Sequence, residues 1–274
     1  MIVADPDVDR DGLLACESLI ASRCLAHVRY YSCVDSTNTA ALSELDRSAD
    51  FALPSLFLTD AQLAGRGRHG RTWLADQGTL TYSLVIPSLP PSSLSRSPLS
   101  IAVGVAIART IEHLAAPFSA RLKWPNDVYL NGGKVAGILI ETSAAQRQAL
   151  VIGIGLNVST DFGDAPSLSG APTTSISMLT QRYPHRYQWL SECIQQVMTA
   201  VDEATRHPQL IVQEYRRRCL LSHKPIRYLA GDQWKYGLCQ GIEDDGALRV
   251  IVDDSLCRLT SGEVQQCRLA APES

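Results

Sequence analysis

The run Gln62-Leu63-Ala64-Gly65-Arg66-Gly67-Arg68-His69-Gly70-Arg71-Thr72-Trp73 determines how the rest of the chain is interpreted. β-Favouring segments flank it, Ser55 to Thr59 before and Gly78 to Pro87 after, and they predict two strands joined by a long loop. The glycines of this loop let backbone N–H groups approach a ligand closely. Its arginines suit phosphate and carboxylate oxygens, and Trp73 offers a flat face for a base. The composition therefore indicates a ligand-binding loop.

An alternative is that the loop is flexible and binds nucleic acid non-specifically, as many Gly/Arg-rich segments do. The net charge of the chain is -3 and its pI is about 6.1, so no global basic field attracts a polyanion. The positive charge is local, at Arg66, Arg68 and Arg71, and it suits a small anionic ligand better. We therefore predict no nucleic-acid partner, although a glycine motif alone is weak support for a ligand site.

The size and composition of the chain place it in a broad class. Its 274 residues suffice for one large and one small domain, and a hydrophobic fraction of 45% is typical of a soluble protein. The acidic stretch from Met1 to Asp11 is not a signal peptide, and we expect a loose leader there. The most apolar run, Ile101 to Ala108, is too short to cross a membrane and predicts a core helix. Eight scattered cysteines without a C-x-x-C pair predict reduced thiols, so we expect a cytoplasmic protein without a membrane partner.

The sequence pattern changes near Lys224, where a series of short β-patterned segments separated by turn residues begins. The last of these segments runs from Glu263 to Leu269. Five such strands within a short stretch predict a small barrel. We therefore divide the chain into a leader with a short helix over residues 1–25, a central domain over 26–222 and a small β-barrel domain over 223–274.

A second polar cluster lies at Lys123-Trp124-Pro125-Asn126-Asp127 and continues into a hairpin about Asn131-Gly132-Gly133. Asn126 and Asp127 stand at the end of one strand and Lys134 begins the next, so the three side chains can converge on one ligand. Two alternatives remain open at this point. Asn and Asp serve turns routinely, and Lys134 alone is equally well an exposed edge lysine.

Two further features accompany these clusters. The apolar strand pattern from Leu150 to Val158 contains Gly153 and Gly155, which indicate a bulge or the close approach of a ligand or backbone. For the hydroxyl cluster at Ser36 and Thr37 two interpretations are open. It either caps a following helix or hydrogen-bonds a polar ligand at the N-terminus of that helix.

Taken together, these motifs resemble those of the biotin–protein ligases (biotin–[acetyl-CoA-carboxylase] ligases). Gly65 to Arg71 resembles the ligand loop of that family, and Lys123 to Asp127 with Lys134 to Glu141 resembles its second motif. The resemblance extends over residues 26–269, and several ordered motifs are far more specific than any single one. It implies an α+β fold: a catalytic domain like that of class II aminoacyl-tRNA synthetases, with a mixed sheet and flanking helices, followed by a small Src-homology-3-like β-barrel.

The resemblance also implies an activity. Biotin would attack the α-phosphate of ATP, and the resulting biotinyl-5'-adenylate would be attacked by a lysine amine of a biotin carboxyl carrier protein or domain. Fixed cations suit both steps because negative charge builds on phosphate oxygens in each. About thirty residues precede Asp35, fewer than a DNA-binding domain of about sixty needs, so we expect a form without that domain. Oligomeric state stays open, and a homodimer is compatible with the sequence.

The site residues follow from the resemblance, position by position. Biotin contacts are implied for Ser36, Thr37, Asn38, Gln62, Gly65, Arg66, Lys134, Gly137, Gly153 and Gly155. Nucleotide contacts are implied for Arg68, Arg71, Trp73, Asn126, Asp127, Lys134 and Asn157. Lys134, Arg66 and Arg68 would be the catalytic residues, and Asp127 would hold Mg²⁺.

Two rival functions remain. A lipoate–protein ligase or acyl transferase on the same fold is the nearer one, since a fold does not settle a substrate. It would lack the ureido-binding set of Ser36, Thr37 and Gln62, and an octanoyl transferase would need a nucleophilic cysteine within a motif. The other rival is a non-catalytic biotin-binding regulator, and the complete arginine and lysine set argues against it.

Overall fold

The computed structural model describes residues 1–47, 52–89, 96–143, 149–162, 172–262 and 264–266. Its larger sheet has eight strands in the order β1-β2-β3-β4-β8-β7-β6-β5. These strands are β1 (Ile2–Ala4), β2 (His27–Val34), β3 (Ser55–Gln62), β4 (Thr79–Pro87), β5 (Ala120–Lys123), β6 (Asp127–Leu130), β7 (Gly133–Thr142) and β8 (Ala149–Asn157). The helices are α1 (Arg10–Ala21), α2 (Thr37–Arg47), α3 (Arg96–Leu114), α4 (Ile176–Thr180), α5 (Leu190–Arg206) and α6 (Pro208–Arg218).

The larger sheet is mixed, because β1, β2 and β3 run parallel while the remaining neighbours are antiparallel. Alternating side chains separate its two faces. Leu80, Tyr82 and Leu84 of β4 join the main core, to which α3 and α5 contribute. Val85 of β4 points the other way and packs with Phe57 against α2. One face thus carries most of the helices, and α2 covers only part of the other.

The predicted core helix and the predicted hairpin are both confirmed. Every residue from Ile101 to Ala108 of α3 is buried. The hairpin turns at Asn131 and Gly132, whose φ angles are 47° and 85°, and this left-handed backbone is what an Asn-Gly turn supplies. Local sequence chemistry therefore fixed both elements.

The expectation of a loose leader is wrong for the described N-terminus. Ile2 to Ala4 forms β1, an edge strand that runs parallel to β2 with Ile2 opposite Val28. The Asp9 carboxylate caps α1 by accepting a hydrogen bond from the Asp11 N–H at 2.9 Å. Three apolar residues are too few to show a strand period, so only pairing with β2 reveals the strand. The division at residue 25 and the boundary at residues 222 and 223 stay predictions.

The smaller sheet has five antiparallel strands in the order β12-β11-β10-β9-β13, which form the predicted Src-homology-3-like barrel. They are β9 (Pro225–Ala230), β10 (Gln233–Ile242), β11 (Leu248–Val252), β12 (Ser255–Leu259) and β13 (Val264–Gln266). Residues 263 and 267–269 of the last predicted strand lie outside the described residues. Among the helices that the structure describes, none has the length and apolar composition needed to cross a membrane.

The barrel is joined to the larger sheet through the turn between β10 and β11. The buried Trp124 indole donates a hydrogen bond to the Gly246 carbonyl at 3.0 Å. Arg216 of α6 donates to the Ile242 carbonyl at 3.0 Å and pairs with Asp244 at 2.8 Å. The basic end of α6 therefore serves contacts within the protein, in addition to its favourable position at a helix C-terminus.

We expect Gly246→Ala to destabilise this joint more than Gly231→Ala. Both glycines have positive φ, +82° and +62°, so each substitution costs about 1 kcal/mol in backbone strain. A Cβ at Gly246 would also lie 2.8 Å from Ile101 Cδ1, whereas nothing lies within 4 Å of one at Gly231. The overpacking should add about 1–3 kcal/mol. Urea unfolding measures the difference, and equal free energies of unfolding for the two variants would contradict it.

Candidate functional site

A cavity of about 980 Å³ opens on the part of the sheet that α2 leaves uncovered. It gathers all but one of the predicted site residues from five separate stretches of the chain. Those that line it are Ser36, Thr37, Asn38, Gln62, Arg66, Arg68, Arg71, Trp73, Asn126, Asp127, Lys134, Gly137, Gly153, Gly155 and Asn157. Gly65 is not among the lining residues; its carbonyl accepts a hydrogen bond from the Trp73 N–H at 2.8 Å and helps to close the loop.

The floor of the cavity is a row of residues in register across neighbouring strands. Thr81 of β4 lies opposite Gly155 of β8, which lies opposite Gly137 of β7, which lies opposite Asp127 of β6. A Cβ at Gly155 would be 2.3 Å from the Trp73 indole. The glycine in this strand therefore does mark a close approach, and the approaching group is the side chain that closes the loop.

The second strand glycine accommodates the first turn of α2. A Cβ at Gly153 would lie 2.2 Å from Asn38 Oδ1. Asn38 also donates to the Glu141 carboxylate at 2.8 Å, and Ser83 Oγ lies 2.5 Å from its Oδ1. The amide of Asn38 is thus held from three strands, which sets the position of α2 relative to the floor.

The hydroxyl cluster at the mouth of α2 is joined to the loop through Gln62. Gln62 Oε1 accepts hydrogen bonds from the Thr37 N–H at 2.8 Å and from the Thr37 hydroxyl at 3.2 Å. Ser83 Oγ lies 2.7 Å from Thr37 Oγ1, and Ser36 is buried at the cavity wall. Gln62 therefore supplies the side-chain acceptor for the start of α2, and ligand binding by Ser36 and Thr37 stays a prediction.

The predicted convergence of Asp127 and Lys134 is observed. Lys134 Nζ lies 2.6 Å from Asp127 Oδ1, and each side chain is 16% exposed. The same ammonium lies 5.5 Å from the centre of the Trp73 ring. Asn126 instead turns its amide to the backbone, donating to the Ile138 carbonyl at 2.8 Å, as expected for a residue that serves a turn. Asn157 does likewise, donating to the Thr174 carbonyl at 3.1 Å.

The loop arginines differ in their surroundings. Arg66 pairs with Glu141 at 2.7 Å and remains 43% exposed. Burial lowers the pKa of Arg68, while the nearby Asp127 raises it and Arg71 lowers it further. Arginine nevertheless stays protonated in proteins, so the loop carries fixed positive charge over the cavity.

The loop backbone is folded back on itself. The Gly67 N–H donates to the Arg71 carbonyl at 2.7 Å, and the Leu63 N–H donates to the Val34 carbonyl at 3.0 Å. His69 adopts the left-handed conformation with φ 55° at the tip. The Gly/Arg run is thus a closed turn with its arginines displayed, which is what a ligand-binding loop requires.

Sequence reasoning missed several residues of the cavity. The Thr81 hydroxyl is buried in the floor and has no hydrogen-bond partner in the described structure. The alternation of Thr79, Thr81 and Ser83 along β4 was an available sign of a polar face. Arg227 reaches the cavity from the barrel, where it binds Gln265 at 2.6 Å, and nothing local to its sequence indicates this.

We expect Gly155→Ala to displace the Trp73 indole, because a Cβ there would lie 2.3 Å from the ring. Acrylamide quenching of the Trp73 fluorescence, isolated by subtraction of a Trp73→Phe background, should increase. Gly104→Ala is the matched control: its Cβ meets ordinary contacts at 3.6 Å and beyond within α3, so quenching should not change. Unchanged quenching in Gly155→Ala would show that the ring does not rest on this glycine.

Comparison with known proteins agrees with this architecture. The model of the biotin/lipoate A/B protein ligase family matches residues 30–158. The chain is 32% identical to a biotin–[acetyl-CoA-carboxylase] ligase of Mycobacterium tuberculosis over 85% of this chain and 86% of that protein. It is 32% identical to the enzyme of that name from Paracoccus denitrificans over 78% and 90% of the two chains. The Aquifex aeolicus biotin protein ligase in complex with biotin and ATP superposes with a TM-score of 0.75 and 22% identity, covering 88% of this chain and 100% of that one. The chain therefore belongs to the biotin–protein ligase family.

Proposed function

We propose that this protein is an ATP-dependent biotin–protein ligase that forms biotinyl-5'-adenylate and transfers biotin to a lysine of a biotin carboxyl carrier domain. The observation that carries the proposal is the Lys134–Asp127 pair, 2.6 Å apart, on the cavity that the loop arginines also line. The names of the two bacterial relatives and the biotin and ATP in the Aquifex aeolicus structure support the same chemistry.

Adenylation brings two anions together, and the cavity supplies the cations for it. The biotin carboxylate attacks the α-phosphorus of ATP, the bond to the β-phosphate oxygen breaks, and pyrophosphate leaves. Lys134 would lie between carboxylate and α-phosphate, while Arg66, Arg68 and Arg71 would bind the carboxylate and the phosphates. Charges fixed before the reaction stabilise the transition state without reorganisation. The lysine amine of the carrier then attacks the acyl carbon and releases AMP.

Biotin would lie between α2 and the glycine floor. Ser36, Thr37 and Gln62 carry the hydroxyl and amide groups that a ureido ring can bind, and Asn38 supports them. Gly153 and Gly155 admit Asn38 and Trp73 to the floor, and Gly137 lies beside the Trp73 ring, so these glycines would shape the biotin pocket. Gly65 would help to hold the loop above it. Trp73 and Asn157 would contact the nucleotide, and Asn126 would support the strand end from which Asp127 projects.

Magnesium would enter this site with the nucleotide. Mg²⁺ is commonly held by one or two carboxylates together with substrate phosphates and waters, so Asp127 as the protein ligand fits. The ion would neutralise charge on the phosphates. Lys134 lies 2.6 Å from the same carboxylate, and both side chains line the cavity.

Two observations favour biotin over the rival substrates. No cysteine is among the described residues that line the cavity, so an acyl-enzyme through a cavity thiol has no support. The polar set at the mouth of α2 also suits a ureido group, which lipoate lacks.

The cytoplasmic location is part of the proposal and rests on the seven described cysteines, all of which are free.

We expect the purified protein to exchange labelled pyrophosphate into ATP only when biotin is present. Lipoate and octanoate, tested in parallel, should give no exchange above background. Exchange with lipoate would instead assign the protein to the neighbouring ligase class. Biotin binding without any exchange would favour a non-catalytic regulator.

Replacement of Lys134 by Ala should lower biotin-dependent exchange by about 10²–10³-fold, since one donor to developing charge is lost. Lys235, exposed on β10 of the barrel, provides the control, and Lys235→Ala should exchange at the wild-type rate. Unfolding midpoints of both variants show whether the fold is intact. Wild-type exchange by Lys134→Ala would exclude the assigned role.

A further inference from the structure

Arg186 is the one buried arginine of the described chain, and no motif of the sequence includes it. It begins a short 3₁₀ helix (Arg186–Trp189) ahead of α5, and its side chain is only 5% exposed. Its guanidinium stacks 4.7 Å from the centre of the Tyr187 ring. A buried charge is costly unless it is paired and hydrogen-bonded, so its partners indicate what it is for.

The partners of Arg186 lie at both ends of the ligand loop. On one side, Arg186 Nη2 lies 2.7 Å from Asp60 Oδ1, two residues before Gln62. On the other side, Arg186 Nη1 donates to the carbonyls of Asp76 and Gln77, which follow the loop. One planar guanidinium therefore connects the end of β3 with the residues just before β4, which are the two stems of the loop. A guanidinium can do this because its donors form a rigid fork.

The Asp60 end of this connection is itself held in place. Asp60 Oδ1 also accepts the Tyr30 hydroxyl at 2.7 Å and the Tyr187 hydroxyl, and Oδ2 accepts the Asp9 N–H at 3.1 Å. Burial raises the pKa of both tyrosines, so their hydroxyls stay protonated and remain donors. The carboxylate is thereby fixed to β2, to the start of α1 and to the 3₁₀ helix.

The carbonyl end is held as well. Gly78, next to Gln77, has no room for a Cβ, which would lie 2.5 Å from Ser159 and Thr160 backbone atoms. The Ser159 N–H donates to the Gly78 carbonyl at 2.9 Å. Both stems of the loop are thus attached to the sheet, and Arg186 bridges them beyond the last pair of the β3–β4 ladder, Thr59 with Thr81.

We propose that Arg186 is a positioning residue for the adenylation step: it fixes the stems of the loop and so sets where Arg66 and Arg68 stand over the cavity. This inference rests on the proposed function, in which those arginines meet the carboxylate and the phosphates. A displacement of about 1 Å at such groups can cost about 10²-fold in rate. None of the hydrogen-bond partners of Arg186 among the described residues lines the cavity, so Arg186 would act through the loop stems.

The test compares Arg186→Lys with Arg109→Lys. Lysine keeps the charge but not the fork, so it cannot hold Asp60 and both carbonyls at once. Arg109 is the matched control, since it is a mostly buried arginine that pairs with Glu203 of α5 at 2.8 Å and with Glu214 of α6 at 2.5 Å. Neither partner belongs to the loop or its stems. Unfolding midpoints of the two variants test whether they are comparably stable. Asp60→Asn, which removes the charge and keeps the shape, replaces Arg186→Lys if that variant does not fold.

The first readout is trypsin cleavage after Arg66, Arg68 or Arg71, identified by mass spectrometry of the folded protein. We expect Arg186→Lys to be cut there at least about fivefold faster than Arg109→Lys. The second is pyrophosphate exchange: kcat/KM for ATP should fall about 10–100-fold, with KM for biotin changed by less than about threefold. Biotin is less affected because most of its proposed contacts, among them Ser36, Thr37 and Asn38, lie outside the stems. Only Gln62, Gly65 and Arg66 of that set belong to a stem or to the loop.

Equal loop cleavage and equal ATP kinetics in the two variants would overturn the positioning role. A parallel increase of KM for ATP and KM for biotin, without faster cleavage, would also overturn it, since that pattern indicates general damage to the protein. Failure of the wild type to exchange pyrophosphate at all would refute the proposed function instead. Cleavage needs neither biotin nor ATP, so it would still decide whether Arg186 holds the loop.

Discussion

The absence of side chains at Gly137, Gly153 and Gly155 is the constraint on which the rest of the site depends. These positions face the cavity from β7 and β8, two neighbouring interior strands of the larger sheet. A methyl group at Gly155 would overlap the Trp73 indole, and one at Gly153 would overlap Asn38. Because the floor is bare, the loop and α2 can both come down onto the sheet and enclose a cavity between them.

Charge pairing draws the loop and the sheet together across that cavity. The loop contributes Arg66, which pairs with Glu141 of β7, and Arg68, whose pKa is lowered by burial and raised by the charge of Asp127. Lys134 of β7 pairs with Asp127 of β6 on the same cavity. Partly buried charges are tolerated when each has an opposite partner, so the carboxylates keep the cations in place. An anionic ligand then enters a site in which the positive charge is already oriented.

The barrel contributes residues to the lining of the cavity. Trp124 forms a wall of the cavity and donates its indole hydrogen to Gly246 in the barrel, so one side chain serves both units. Arg227 completes the lining from β9, where it stacks 4.6 Å from the centre of the Trp234 ring. Movement of the barrel would therefore change the shape of the cavity.

The amino-acid sequence alone determined the elements whose causes are local. The Asn-Gly turn fixed the hairpin, and that hairpin brought Lys134 next to Asp127, as its pattern predicted. Only the tertiary structure decided that Ile2 to Ala4 joins the sheet, that Thr81 lies in the floor and that Arg227 reaches the cavity. It also decided the hydrogen-bond partners of Arg186, of which Asp60 and Asp76 lie 126 and 110 residues away. Periodicity and turn chemistry act over a few residues, whereas these contacts depend on which distant strands become neighbours.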